Sequence, residues 1–118
     1  MWREVAYDSP MPQMIDIQLL GKFSVLVDGS PISPDAWRTR RAADVVKVLA
    51  LAAGHRLHRE QVMETLWPDS GPDAAATNLR KALHFARRAL GEDAIVNRDG
   101  VLALWPDTAL SINRKSVV

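Results

Sequence analysis

Residues 77–88 read TNLRKALHFARR, and this stretch has the period of an amphipathic helix. At about 100° per residue its apolar side chains fall on one stripe, which is expected to face a core and contains Leu79, Ala82, Leu83, Ala86 and Leu90. The opposite stripe is polar and cationic, and it contains Thr77, Lys81, His84 and Arg88. Arg80 and Arg87 flank this row on one side, and Asn78 and Phe85 flank it on the other. The chain must therefore cover one face of the helix and leave the basic face open.

The residues that precede the helical part of the chain alternate as strands do. Apolar side chains alternate with polar ones at 15–19 and again at 23–27, with Gly21 between the two runs. This pattern predicts two antiparallel strands, each buried on one face. Asp28-Gly29 then predicts a turn into a short third segment.

Two further helices are expected before the basic one. Thr39 is the expected N-cap of the first, which Gly54 ends. A brief extended link at 56–58 leads to a second helix that starts near Arg59. Ser70, three residues before Asp73, predicts a capping box at the start of the third helix.

A hairpin follows the basic helix. The segments 95–98 and 101–104 flank Asp99-Gly100, a strong hairpin signal because a type I′ turn needs positive φ at both central positions. Residues 1–14 lack periodicity and are expected to form a flexible leader, and residues 106–118 a tail. Residues 15–105 then form an α+β domain, with three helices, an N-terminal antiparallel sheet and a C-terminal β-hairpin. This order of elements is that of a winged helix-turn-helix.

Composition narrows the class. The 118 residues, 47% hydrophobic and 25% charged, predict one globular domain. The chain has no cysteine, which excludes disulfides and thiolate metal sites. Because it has no signal peptide and no apolar run of about 20 residues, we expect a cytoplasmic protein without a membrane partner.

Catalytic motifs are absent from the sequence. It contains no Gly-rich phosphate loop and no nucleophile elbow. His55, His58 and Glu60 lie close together, but no further ligand completes a tetrahedral site. We therefore expect no enzyme activity, no catalytic residue, no cofactor and no metal.

Positive charge is concentrated on the predicted third helix. The net charge of the chain is only +1. Residues 72–90, however, contain four basic residues and one acidic residue, Asp73, so their net charge is +3. The basic residues are Arg80, Lys81, Arg87 and Arg88. A polyanion is therefore the partner that this helix is expected to attract.

Three stretches resemble a known family: LLGKFSVLVDGSPI, RTRRAADVVKVLALAAGHRLHREQVMETLWPDSGPDAAATNLRKALHFARRAL and IVNRDGVLAL. Over about residues 15–105 they are similar to the OmpR/PhoB-type winged helix-turn-helix at the N-terminus of SARP-type transcriptional activators, which contain a bacterial transcriptional activator domain. The most specific part is LWPDSGPDAAATNLRKAL. The resemblance implies sequence-specific binding of double-stranded promoter DNA, with the third helix in the major groove and the hairpin wing at the minor groove. It also implies that residues 106–118 begin a linker to a C-terminal activation domain.

The resemblance implies that certain side chains face DNA, namely Thr77, Asn78, Arg80, Lys81, His84, Arg88 and the wing residue Arg98. It also implies that the loop 68–71, from Pro68 to Gly71, touches RNA polymerase. Arginine and lysine can reach phosphates or guanine, and the amide of Asn78 has the geometry for adenine. Candidates for additional phosphate contacts lie before and at the start of the first helix, and they are Arg38, Arg40 and Arg41.

The alternative is a winged helix that binds another protein and no DNA. Two residues depart from the family pattern: His58 replaces the usual Ser or Thr cap, and Asp99 weakens the positive potential beside Arg98. No heptad seam or long exposed apolar stripe is visible, so we expect a monomer in solution. By resemblance, copies would sit in tandem on direct repeats of promoter DNA.

Overall fold

The computed structural model describes residues 14–113, and within them the fold is α+β, with three α-helices and two β-sheets. The α-helices are α1 (Arg40–Leu51), α2 (Arg59–Leu66) and α3 (Pro72–Leu90). The strands are β1 (Ile15–Gln18), β2 (Ser24–Val27), β3 (Ser30–Pro31), β4 (Arg56–His58), β5 (Ile95–Arg98), β6 (Val101–Leu104) and β7 (Leu110–Asn113). Short 3-10 helices, Pro34–Trp37 and Ala53–His55, come before and after α1.

The first sheet has the strand order β3-β2-β1-β7. Its antiparallel β1–β2 pair, with Ile15 opposite Val27, confirms the two strands predicted from alternation. β7 lies parallel to β1, with Ile15 opposite Leu110. The sequence pattern predicts a tail from residue 106, whereas the structure incorporates residues 110–113 into this sheet. The predicted leader, apart from Met14, and residues 114–118 lie outside the described residues.

The second sheet has the order β4-β6-β5, and all its pairs are antiparallel. The predicted hairpin is confirmed, because Asp99 and Gly100 between β5 and β6 have φ values of 54° and 85°. The turn between β2 and β3 repeats this geometry, with φ of 51° at Asp28 and 86° at Gly29. Both Asp-Gly pairs therefore adopt the left-handed conformation that favours glycine at the second position.

One continuous core joins the helices and both sheets. The buried stripe of α3 agrees with prediction for Leu79, Ala82, Leu83 and Ala86, while Leu90 is half-buried at the end of the helix. Trp37 and Trp105 belong to the same core, as expected for most tryptophans in a small domain. This burial fixes the rotation of α3 and so decides which of its side chains face outward.

The ends of the helices follow the predictions at two of three N-termini. Thr39 Oγ1 accepts a hydrogen bond from the Ala42 amide at 3.2 Å, which confirms the predicted cap of α1. His58 caps α2, since its Nδ1 accepts from the Glu60 amide at 3.2 Å. The capping box predicted at Ser70 is wrong: the N-cap of α3 is Gly71, which makes no side-chain cap, and the helix begins one residue later with proline.

Candidate nucleic-acid interface

The polar row of α3 faces solvent. Thr77, Lys81, His84 and Arg88 are all exposed, which confirms the helix phase predicted from periodicity. Arg80 is exposed beside this row. We refer to these five side chains together as the α3 row.

The cations of the α3 row have no protein partner within residues 14–113. In that part of the chain neither Arg80, Lys81 nor Arg88 forms an ion pair or donates a side-chain hydrogen bond. The described ion pairs lie on α1 instead, where Asp44 meets Arg41 at 2.9 Å and Lys47 at 3.8 Å. The positive charge of the α3 row is therefore free to meet an external anion.

Arg87 differs from its neighbours in the sequence. Its side chain is half-buried, and its Nε donates a hydrogen bond to the carbonyl oxygen of Ile95 at 3.0 Å. Ile95 begins β5, so this bond attaches the hairpin to one flank of α3. The guanidinium of Arg87 thus has a structural partner, whereas the arginines of the α3 row have none among residues 14–113.

The hairpin turn is also attached to the start of α2. The Arg59 amide donates to the Gly100 carbonyl oxygen at 2.7 Å, and the Gly100 amide donates to Asn97 Oδ1 at 3.1 Å. Arg98 lies at the end of β5 next to this turn, is exposed and stands opposite Val101. The hairpin therefore presents Arg98 from a turn that hydrogen bonds hold in place.

The other flank of α3 meets the segment before α1. The Arg38 guanidinium carbon lies 6.0 Å from the centroid of the Phe85 ring, within the range of a cation–π contact. The ring of His84 packs edge-on against Phe85, with 5.3 Å between ring centroids. The α3 row therefore lies between the hairpin on one side and the arginine segment on the other.

The three arginines proposed for phosphate contact have different surroundings. Arg38 lies over Phe85, and Arg40 is exposed without a partner among the described residues. Arg41 donates to Asp44 and also lies 5.9 Å from the centroid of the Trp67 ring. The sequence-based list of site residues did not include Asp44, although its position three residues after Arg41 indicates a helical ion pair.

Asn78 lies at the edge of the α3 row, where it is half-buried. It lines a depression together with Lys81 and with residues outside α3, namely Thr39, Arg41 and Trp67. Trp67 is half-buried: it packs against the core and also borders this surface. The loop 68–71 connects α2 to α3 and exposes three of its four residues.

Within residues 14–113 no group of three or more His, Asp or Glu side chains is arranged to hold a metal ion. No helix in that same part of the chain is long and apolar enough to cross a membrane. The sequence matches no protein-family model, and no curated protein matches it. The α3 row and its two flanks are therefore the structural features that bear on function.

Proposed function

We propose that the protein is a double-stranded DNA-binding domain of a bacterial transcriptional regulator, with a winged helix-turn-helix fold. In this proposal α2 and α3 are the helix-turn-helix pair, α3 enters the major groove, and the β5–β6 hairpin is the wing at the minor groove. One observation carries the proposal: the α3 row exposes three cations without a partner in the described part of the chain, between the arginine segment before α1 and the hairpin that presents Arg98. The resemblance of the sequence to OmpR/PhoB-type domains supports the same function.

The width of α3 with its side chains matches the width of the DNA major groove. An α-helix with its side chains is about 10–12 Å wide, and the major groove of B-DNA is about 12 Å wide. Lys81 and Arg88 lie on the exposed face of α3, and their long side chains can extend to phosphates beside the groove. Arg80 has the planar fork that pairs with guanine O6 and N7, while Thr77 and His84 reach base edges by single hydrogen bonds.

The wing provides a second contact. Arg98 is exposed at the end of β5, and a narrow minor groove attracts basic side chains such as arginine through its enhanced negative potential. The hydrogen bond from Arg59 to Gly100 holds the turn, so less conformational freedom is lost when Arg98 binds. The wing would therefore fix the orientation of α3 in the adjacent major groove.

Two remaining parts of the proposal, that the domain has no catalytic function and that it acts in the cytoplasm, come from the composition and motifs of the sequence. A third, that it occupies direct repeats in promoters, follows from the resemblance. The exposed loop 68–71 would be available to RNA polymerase while α3 is in the groove.

Fluorescence anisotropy tests the proposal, with a labelled random-sequence duplex of about 30 base pairs titrated at several salt concentrations between about 50 and 200 mM. Binding should weaken steeply with salt, and Lys81→Ala and Arg88→Ala should each reduce the slope of log K against log salt by about one. Lys22→Ala, in the turn between β1 and β2, is the control and should leave the slope unchanged. Absence of salt-dependent binding by the unaltered chain would reject DNA binding and favour a protein-interaction module.

A further inference from the structure

A depression lies where the start of α1 meets α3. Its lining comes from three elements, and it consists of Thr39, Arg41, Trp67, Asn78, Lys81 and Ala82. Four of these residues supply polar groups of different kinds: a hydroxyl, a guanidinium, an amide and an ammonium. Each of the four can donate a hydrogen bond to the same acceptor.

Arg41 is held at this depression by two contacts. Its Nη1 donates a hydrogen bond to Asp44 Oδ2 at 2.9 Å, and its guanidinium carbon lies 5.9 Å from the centroid of the Trp67 ring. A guanidinium has five N–H donors, so the bond to Asp44 leaves most of them for another acceptor. The side chain of Arg41 remains 48% exposed, which keeps those donors accessible. The arginine is thus oriented by the protein without being saturated.

Asn78 and Lys81 reach the depression from the opposite side. At about 100° per residue, Asn78 is rotated roughly 80° from the centre of the outward face and Lys81 only about 20°. Asn78 therefore lies on the flank of α3 that meets the start of α1. Because it lines one depression with two cations, Arg41 and Lys81, a phosphate is the DNA group that these neighbours favour as its partner.

Thr39 adds a fourth polar group at the edge of the depression. Its Oγ1 accepts from the Ala42 amide, so the hydroxyl hydrogen is free to be donated outward. The edge of the depression therefore carries two cationic groups, one of them paired with Asp44, and two neutral donors, and a phosphate group accepts hydrogen bonds from all four kinds.

We infer that this depression binds one backbone phosphate of DNA, and that Asn78 contacts this phosphate and does not read adenine. The inference rests on the proposed DNA binding and deepens it. Arg41 and Lys81 supply charge from two elements, while Asn78 and Thr39 direct hydrogen bonds to the phosphate oxygens. Because one phosphate is held by both α1 and α3, the contact fixes the depth and register of α3 in the groove.

Binding of a random-sequence duplex tests the inference, because phosphate contacts are independent of sequence. Arg41→Gln should weaken binding about eightfold near 100 mM salt and lower the salt slope by about one, since one charge contributes a slope of about 0.9. Arg41→Lys keeps the charge and loses the planar fork, so it should keep the slope while binding more weakly. Lys47→Gln, on the same helix but outside the depression, should bind within about twofold of the unaltered chain.

Asn78→Ala separates the two roles of the amide. It should weaken binding of the random-sequence duplex by about threefold to tenfold. The preferred sequence selected from a randomised library should be the same as for the unaltered chain. A changed base preference at one position, with unchanged affinity for random DNA, would show that Asn78 reads a base.

The outcomes distinguish this inference from the proposed function. If the unaltered chain binds DNA with a steep salt dependence while both Arg41→Gln and Asn78→Ala bind random DNA normally, the phosphate site is refuted and DNA binding stands. If the unaltered chain does not bind DNA, both are refuted. Urea melts of each variant, with midpoints near that of the unaltered chain, show that a loss of binding does not come from unfolding.

Discussion

Gly100 offers a test of how the hairpin is attached to α2. Its φ is +85°, and a Cβ at this position would lie 3.0 Å from His58 Nε2. Gly29 is a close match, because it also follows an aspartate in a turn and has φ of +86°, and a Cβ there would have no atom of the described residues within 4 Å. Gly29→Ala therefore reports the backbone cost alone, and Gly100→Ala reports that cost plus the collision with His58.

The size of the difference follows from these contacts. Placing alanine in the left-handed region costs roughly 1–2 kcal/mol, and this cost is the same at both sites. The smaller entropy of the unfolded chain with alanine is also common to both and cancels in the comparison. Ordinary carbon contacts lie at about 3.5–4.0 Å, so the His58 ring must move away from Gly100. That movement weakens its cap on the Glu60 amide, and losing an N-cap costs about 0.5–2 kcal/mol.

We therefore expect Gly100→Ala to lower the free energy of unfolding by about 1 kcal/mol more than Gly29→Ala. Urea denaturation followed by far-UV circular dichroism measures both values, provided that the slopes against urea agree. In a His58→Ala background, which removes the ring, the two glycine substitutions should cost the same. Equal losses of unfolding free energy for Gly100→Ala and Gly29→Ala in the original background would refute this reasoning, because the added Cβ at position 100 would then not collide with His58.

Three other predictions concern packing and assembly. Leu79→Ala should cost about 2–5 kcal/mol in urea melts because Leu79 is fully buried, and Thr77→Ala on the exposed face should change stability by less than about 0.5 kcal/mol. Arg87→Ala should lower the free energy of unfolding by about 1 kcal/mol through loss of the hydrogen bond to β5, whereas Arg88→Ala should have little effect. Equal free energies of unfolding for the two variants would show that the bond is absent in solution. Sedimentation should show a monomer without DNA. Duplexes with two direct repeats about 10–11 base pairs apart should bind the protein more tightly than duplexes with about five base pairs inserted between the repeats. Equal affinity for the two duplexes would exclude contact between neighbouring copies.

The sequence pattern predicted the elements whose information is local. The phase of α3 follows from its apolar stripe, the cap of α1 from Thr39, and the hairpin from Asp99-Gly100, and the structure confirms all three. Each depends on residues within a few positions of one another, so a periodicity or a turn signal is sufficient. The exposed row that forms the centre of the candidate site could therefore be predicted from the sequence alone.

Non-local pairing was not predictable in the same way. β7 is only four residues long and becomes a strand because β1 lies beside it, although residues 15 and 110 are far apart in the chain. The depression between α1 and α3 depends in the same way on these two helices being packed together. A pattern that covers one element at a time does not report which other element stands next to Asn78 or Trp67.

Arg87 and Arg88 show why adjacent residues of one type differ in role. They contribute equally to the +3 charge between residues 72 and 90, but consecutive helical positions differ by about 100°. Arg87 turns toward β5 and donates to the Ile95 carbonyl, while Arg88 stays in the exposed row. The charge that α3 presents outward is therefore smaller than its composition suggests, because one arginine holds the hairpin against the helix. In the proposed complex, Arg87 would position the wing and Arg88 would contact DNA.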